Sequence, residues 1–288
     1  MIERHLLRYF LAVVDTGTFS GAASLCRVSQ PTVSSGIARL EHVAGQVLFN
    51  RSNRRVELTA AGARLLPHAR RIENEFAEAQ RSVTEIDPAT VVRLGVASTL
   101  ATGMVERVAA ALLAKPGLQL EVVERRPGEM ATLLDRGRVD LVMGPLDGAA
   151  SRRHVTLFHE PFELVMREGH HLAGADLLRC DDLMDEAMLV RRQCEALPQV
   201  SRFFTARGVR PFMAARSQSE ERIAGYVRAG LGLTVMPRSL IEPGIVARPL
   251  AGLELERTVG LTFDADGEGR LTRAGVIETI AQAVAQHG

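Results

Sequence analysis

The chain of 288 residues carries 35 basic and 34 acidic side chains, with 46% hydrophobic and 24% charged residues, which at roughly 150 residues per domain means about two domains with a real core. Its longest unbroken apolar run, Val108–Ala114, is far short of a membrane span, and Asp15 interrupts Tyr9–Val14 before it could serve as a signal peptide. Cys26, Cys180 and Cys194 form no CxxC pair, which suits a reducing cytoplasm, so secreted, membrane-spanning and disordered classes are set aside.

The near-neutral total hides an asymmetry. Residues 1–71 hold ten arginines against Glu3, Asp15, Glu41 and Glu57, a net of +6, while residues 72–288 carry 25 basic and 30 acidic side chains, a net of −5. A basic end on an acidic body is the footprint expected where one end meets a polyanion.

In chain order, Glu3–Val14 reads as an amphipathic helix with Leu6, Phe10 and Val13 on one face. Ser20 is positioned to cap a short second helix running through Arg27. Ser29 then caps a third, which accepts Pro31 in its first turn and continues to about Val43. Its inward stripe is Val33, Ile37 and Leu40; Thr32, Ser35 and Arg39 fall opposite, with Ser34 on the flank. Hydroxyls and one arginine on a slim face suit a helix entering a major groove, and the helix–turn–helix order has that geometry. Leu48–Thr59 reads as two extended runs around a polar tip, a wing that would put Arg51, Arg54 and Arg55 beside phosphates or a minor groove.

Thr59 opens a long helix in which Leu65, Ala69, Ile72, Phe76, Ala79 and Val83 recur at alternating steps of four and three. That is a seam for pairing two chains, although Pro67 bends its first turns. From Val91 strands and helices alternate. Strands are expected at Val91–Ala97, Leu118–Val123, Val139–Met143, Glu163–Arg167, Ala187–Val190, Phe212–Ala215, Leu231–Met236 and Thr258–Phe263, with helices near Met104–Ala114, Glu129–Arg136, Gln199–Arg207 and Ser219–Ala229 and a last helix over Leu271–Gln286. The first three read as buried strands of a parallel sheet. Two such α/β lobes place strand C-termini and helix N-termini around a cleft.

These residues resemble the LysR-type transcriptional regulators. The likeness rests on Leu7–Phe10, Phe19–Ala23, Val28-Ser29-Gln30-Pro31-Thr32-Val33-Ser34, Leu48-Phe49 with Arg51, and Leu58–Gly62. In the body it rests on Arg138–Val142, Gly169–Ala173 and Val227–Pro237. The resemblance implies an α/β protein overall: a winged helix-turn-helix domain at 1–58, a linker and dimerisation helix at 59–87, and a two-lobed effector-binding domain at 88–288. Within that domain lobe 1 would span about 91–161 with 264–288, and lobe 2 about 162–263. It implies promoter DNA, a small effector and a second copy of the chain, as homodimer or homotetramer, as partners. RNA polymerase is a further expected partner, and the cytoplasm the expected location.

Carried over by position, Gln30, Pro31, Thr32, Ser34, Ser35 and Arg39 fall on the DNA-facing helix, and Arg51, Arg54 and Arg55 on the wing. Ser35-Gly36 stands where relatives often have long polar residues, and Gly36 weakens a helix by about 1 kcal/mol relative to Ala. The effector cleft maps onto Ser98, Thr99, Arg125, Gln193, Cys194 and Ser217, with Arg126 and Gly144-Pro145 alongside. The arginines either favour an anion in the cleft or are solvated surface groups, and the effector expected is a small anionic organic molecule. Cys194 reads as a pocket-wall residue, with a redox sensor as the other reading.

Enzyme signatures are missing: no G-x-S-x-G, no phosphate-binding G-x-x-x-x-G-K-[ST] and no dinucleotide fingerprint occur. His154 and His159, and the adjacent His170-His171, do not match a helical metal pair, and His170-His171 reads as an exposed turn. No cofactor or metal is expected. The alternatives, a solute-binding protein or a two-lobed enzyme, leave the basic first 71 residues unexplained.

Overall fold

Val33, Ile37 and Leu40 are completely buried, so the third helix of the chain is held by three side chains worth at most about 1.5–3 kcal/mol each. A computed structural model describes residues 1–51, 56–84, 90–146, 152–263, 268–269, 271–272 and 274–285. Two units divide the chain, residues 1–89 with 135–138, and residues 90–134 with 139–288.

The first unit packs α1 (Arg4–Thr16), α2 (Phe19–Cys26) and α3 (Gln30–Ala44) around Leu6, Phe10, Val13, Val33, Ile37 and Leu40. The cap of α2 is Thr18 rather than the expected Ser20: its side chain accepts the amide hydrogen of Gly21 at 3.0 Å. The helix stops at Cys26 because Arg27 turns left-handed, φ 55°, a conformation that a non-glycine residue adopts only at an end. Ser29 caps α3 as expected, accepting from Thr32 N at 3.3 Å.

Gly36 has a packing reason as well as a propensity cost. A Cβ there would lie 2.6 Å from Cδ2 of Tyr9, so the bare backbone lets α1 and α3 approach closely. Strands β1 (Phe49–Arg51) and β2 (Val56–Leu58) pair antiparallel and flank the wing tip. Thr59 then begins α4 (Ala60–Thr84), its hydroxyl accepting from Gly62 N at 3.1 Å.

In α4 the expected seam divides. Leu66 and Ala69 are buried in the unit's own core, with Leu65 packed against it, whereas Ile72 and Phe76 remain exposed. Phe76 carries the guanidinium of Arg4 over its ring at 4.4 Å.

The second unit is built on a seven-stranded mixed sheet. Strands β3 (Thr90–Ala97), β4 (Leu118–Arg125) and β5 (Leu141–Pro145) are parallel; β11 (Glu256–Phe263) runs antiparallel to β5 and to β6 (Arg153–Arg167). The sheet is therefore not wholly parallel. Nor is β4 a fully buried strand, because it lies at the edge with most of its residues exposed. The order continues through β6 to β10 (Ile245–Arg248), with β9 (Thr234–Pro237) also on β6.

One core gathers Leu94, Val108, Leu141 and Leu261 with α5 (Thr102–Leu113) and the C-terminal helix Val276–Ala285. Two further clusters, around Phe162, Leu183 and Leu233 and around Val165, Ile223 and Met236, form the second lobe. The second lobe also holds the parallel pair β7 (Ala187–Arg191) and β8 (Phe212–Ser217), with α7 (Leu197–Ala206) and α8 (Glu220–Arg228). Strand β6 is longer than expected from Glu163–Arg167 because it serves both lobes. Its first half pairs with β11, and its second half with β9 and β10. The expected lobe boundary at 161/162 thus falls inside one continuous strand.

Candidate functional site

The first candidate surface is the outer face of α3. Gln30, Pro31, Thr32, Ser35 and Arg39 are exposed and Ser34 half-buried, the amphipathic result of putting Val33, Ile37 and Leu40 inward. Two of these residues already have partners. The Thr32 hydroxyl lies 2.7 Å from that of Ser29, inside the cap, and Arg39 forms an ion pair with Glu3, the residue just before α1. Among the described residues the exposed side chains of Ser35 and Gln30 make no side-chain hydrogen bond and face solvent. Of the wing arginines, Arg54 and Arg55 lie outside the described residues, and only the backbone of Arg51, in β1, is described.

A second candidate site lies where the two lobes of the second unit meet. Ser98, just past β3, donates to Oε1 of Gln193 in the other lobe. Arg126 makes a second bridge, Nη2 to Oε1 of Gln218 at 3.1 Å. Arg125 is exposed and folds back on its neighbour, Nη1 donating to the Glu124 carbonyl at 2.7 Å. Ser217 accepts from Ser219 N at 3.0 Å, and Ser219 in turn caps α8. Thr99 is entirely buried, and its hydroxyl has no hydrogen-bond partner among the described residues.

Beneath these groups runs a belt of buried charge that sequence reasoning did not nominate. Nε of Arg257 donates to Glu160 Oε1 at 2.7 Å; Nη1 donates to Glu195 Oε1 at 2.8 Å and to the carbonyl of Thr99 at 3.2 Å. Ser239 closes this cluster, its amide donating to Glu160 Oε2 at 2.6 Å. Alongside, Arg191 donates from Nε to Glu220 Oε2 at 2.6 Å and from Nη1 to the Cys194 sulfur at 3.2 Å. Burial is the largest influence on Arg191 and lowers its pKa, but Glu220, Cys194 and Glu195 together outweigh it and the pKa is raised. At Cys194 burial dominates and pushes the thiol up, with Arg191 pulling the other way.

Nη2 of Arg191 and Oε2 of Glu195 are buried without partners among the described residues, as is the Thr99 hydroxyl. Buried hydrogen-bonding atoms left without partners are uncommon in folded proteins. No local signal announced the belt, because Arg257 and Glu160 lie in strands that carry other polar residues, Glu256, Thr258 and Thr262 in β11 and His159 and Glu163 in β6.

Two cavities flank the belt. The larger, about 740 Å³, is lined by Leu100, Met104, Arg107, Glu160, Glu220 and Arg238, among others; none of the effector-site residues expected from sequence is in its wall. The smaller, about 340 Å³, lies in the second lobe and is mostly apolar, with Arg191 and Cys194 in its wall. All three cysteines are free thiols. No helix among the described residues is long and apolar enough to cross a membrane.

Comparison with known proteins decides what these surfaces belong to. Residues 5–63 match the bacterial regulatory helix-turn-helix protein model of the lysR family, and residues 86–285 match the LysR substrate binding domain. The chain belongs to the LysR family. It is a DNA-binding transcriptional regulator with an effector-binding domain, and the relatives it matches are regulators rather than enzymes.

Among similar proteins, a probable hydrogen peroxide-inducible genes activator of Mycobacterium avium is 33% identical over 269 residues, covering 89% of this chain and 86% of the relative. Full-length OxyR of Pseudomonas aeruginosa, in a C-to-D variant, shares the fold with a TM-score of 0.70 at 24% identity, covering 99% of this chain and 95% of that one. CbnR in complex with its target DNA shares it with a TM-score of 0.60 at 20% identity, covering 98% of this chain and 100% of that one.

Proposed function

We propose that this LysR regulator changes its DNA contacts when a small polar molecule settles between its lobes beside Thr99. The observation that carries this reading is the completely buried Thr99 hydroxyl without a partner, next to the Ser98–Gln193 bridge from lobe to lobe. A ligand that engages Thr99 and competes for that bridge binds one lobe arrangement more tightly than another, which is the condition for a switch. Ser217 and Cys194 stand near the same strand ends. The buried belt sets two guanidiniums, Arg191 and Arg257, against three carboxylates, Glu160, Glu195 and Glu220. With Arg125 folded away, a neutral polar ligand fits this balance better than a simple anion.

On the DNA side, Gln30, Pro31, Thr32, Ser34 and Ser35 face the groove, and Arg51, Arg54 and Arg55 reach flanking phosphates. Arg39 joins them on leaving Glu3. Exposed Ile72 and Phe76 on α4 support pairing of two chains, which presents two recognition helices to a palindrome, and the cytoplasm is the compartment of such a regulator.

The test is a thermal-shift and calorimetric screen of neutral polyols, peroxides and carboxylates with the full chain and with Thr99→Met. The reading expects a hit whose response is lost in the variant while DNA affinity is kept; an undiminished response places the ligand elsewhere. A second reading, oxidation of Cys194, is favoured by the peroxide-inducible relatives and by the Arg191 contact. Cys194→Ser separates the two, abolishing a thiol response and sparing a cleft ligand.

A further inference from the structure

His170, His171 and Glu186 converge on lobe 2, away from any residue assigned above. His170 and His171 occupy the turn after β6, and Glu186 immediately precedes β7. Nε2 of His170 lies 3.3 Å from Oε2 of Glu186, and Nε2 of His171 lies 3.2 Å from Oε1 of the same carboxylate. One ligand atom from each of the three falls within 4.8 Å of the others. The imidazoles are stacked, with centroids 4.5 Å apart and planes tilted by 31°, so the two adjacent rings point the same way instead of splaying apart.

We propose that this trio binds a divalent transition-metal ion of the zinc class. Zinc takes nitrogen and carboxylate ligands at about 2.0–2.2 Å in a tetrahedron, whose edge is then roughly 3.3–3.5 Å. The two nitrogen–oxygen separations, each to a different oxygen of Glu186, have nearly that length, so an ion held by both imidazoles meets the carboxylate through one oxygen after a small rotation or through both. Two imidazoles and one carboxylate are a donor set suited to zinc, cobalt or nickel and ill-suited to calcium or magnesium, which prefer oxygen alone.

The backbone fixes the trio at both ends. His170 N donates to the Arg167 carbonyl at 3.0 Å and its carbonyl accepts from Ala173 N at 2.9 Å, while Glu186 N donates to the Leu183 carbonyl at 3.2 Å. Side chains of His170 and Glu186 are each 15% exposed and that of His171 70%, so one side of the site is shielded and the other open for entry and for a water ligand. Ligation through Nε2 of His170 carries that ring's proton to Nδ1 and gives up the hydrogen bond Nδ1 accepts from Leu172 N at 3.3 Å. The turn that the sequence led us to read as merely exposed is in this account a ligand platform.

The experiment is titration of the chelator-stripped full chain with Co²⁺, followed by absorbance, and with Zn²⁺ in competition with a chromophoric chelator. One ion per chain binds at this site, with ligand-field bands in the visible and no thiolate charge-transfer band. His171→Ala and Glu186→Gln each weaken binding roughly tenfold or more, while His154→Ala leaves it unchanged. Equal affinity in the wild-type chain and both trio variants overturns the proposal. So does a thiolate band, which would assign the ion to a cysteine, or no binding at micromolar metal. His171→Ala removes an exposed side chain, so a folded variant is available for the comparison.

Discussion

Glu160 and Arg257 face each other across the antiparallel strands β6 and β11 and are joined by a 2.7 Å hydrogen bond, with side chains only 5% and 2% exposed. The two strands run between the lobes, so the pair sits where lobe movement must be accommodated. Arg257 also holds Glu195, and its removal would strand two buried carboxylates. Breaking a buried pair from one side costs about 3–5 kcal/mol. Arg257→Met is therefore expected to lower the stability of the chain by that much in equilibrium urea unfolding. A loss below about 1 kcal/mol would show that the belt does not hold the lobes together.

Thr99 gives a contrasting case. Its buried hydroxyl lacks a partner among the described residues, and such a group costs about 1–3 kcal/mol in the folded state. Thr99→Val keeps the shape and removes the unmet group, so the unliganded chain should be as stable as the wild type or more so, while ligand-induced stabilisation falls. A clear drop in unliganded stability, read by the same urea titration, would mean that the hydroxyl has a structural role.

For Cys194 the direction of the thiol's shift sets a pH profile. Burial raises its pKa and Arg191 opposes this without cancelling it. With Cys26 and Cys180 replaced by Ser, alkylation of Cys194 by iodoacetamide should stay slow at neutral pH and rise only above the ordinary thiol range. Because the folded pKa is the higher one, this group's contribution to stability is present in full below the unfolded thiol's pKa. It is lost as pH climbs through the folded one. A reactivity midpoint at or below the ordinary thiol value contradicts the assignment and supports a redox role.

Much of the first unit was legible in the chain. Val33, Ile37 and Leu40 at helical spacing marked the inward face of α3, and Ser29-Gln30-Pro31 its start, because caps and apolar periodicity are local signals. The cap of α2 was misplaced by two residues, since Thr18 and Ser20 are chemically alike and only the backbone path distinguishes them. In the second unit most strands were readable, though β10 and the first half of β6 were missed, and strand role was not readable. The edge position of β4 and the double duty of β6 depend on partners far away in sequence. The Arg191–Glu220 and Arg257–Glu160–Glu195 clusters were invisible for the same reason: each joins residues that no local period connects. His170-His171 was noticed as a pair, but its third member, Glu186, is brought in by the turn and the strand that follows.

Gly62 tests the join between wing and linker helix. A Cβ at this position would lie 2.3 Å from the carbonyl oxygen of Leu48, a backbone atom that cannot swing aside. Overpacking of this kind costs about 1–3 kcal/mol, so Gly62→Ala should lower the melting temperature by several degrees although helix propensity favours Ala. Gly36→Ala should likewise fail to show the gain of about 1 kcal/mol expected from propensity, because the ring of Tyr9 must give way. A stabilised Gly62→Ala variant would contradict the close approach of α4 to the Leu48 backbone.

The most direct test of the whole account is fluorescence anisotropy of the full chain on a duplex carrying its own upstream region and on a scrambled duplex, across a salt series. Affinity for both should fall steeply as salt rises. Ser35→Ala should weaken the upstream duplex selectively, by up to about 1–3 kcal/mol if Ser35 reads a base, whereas Arg54→Ala should weaken both and reduce the salt slope by about one. Indifference of the wild-type chain to either duplex at low salt, or equal affinities for all three proteins, would contradict the assignment of α3 and the wing as the DNA-reading surface.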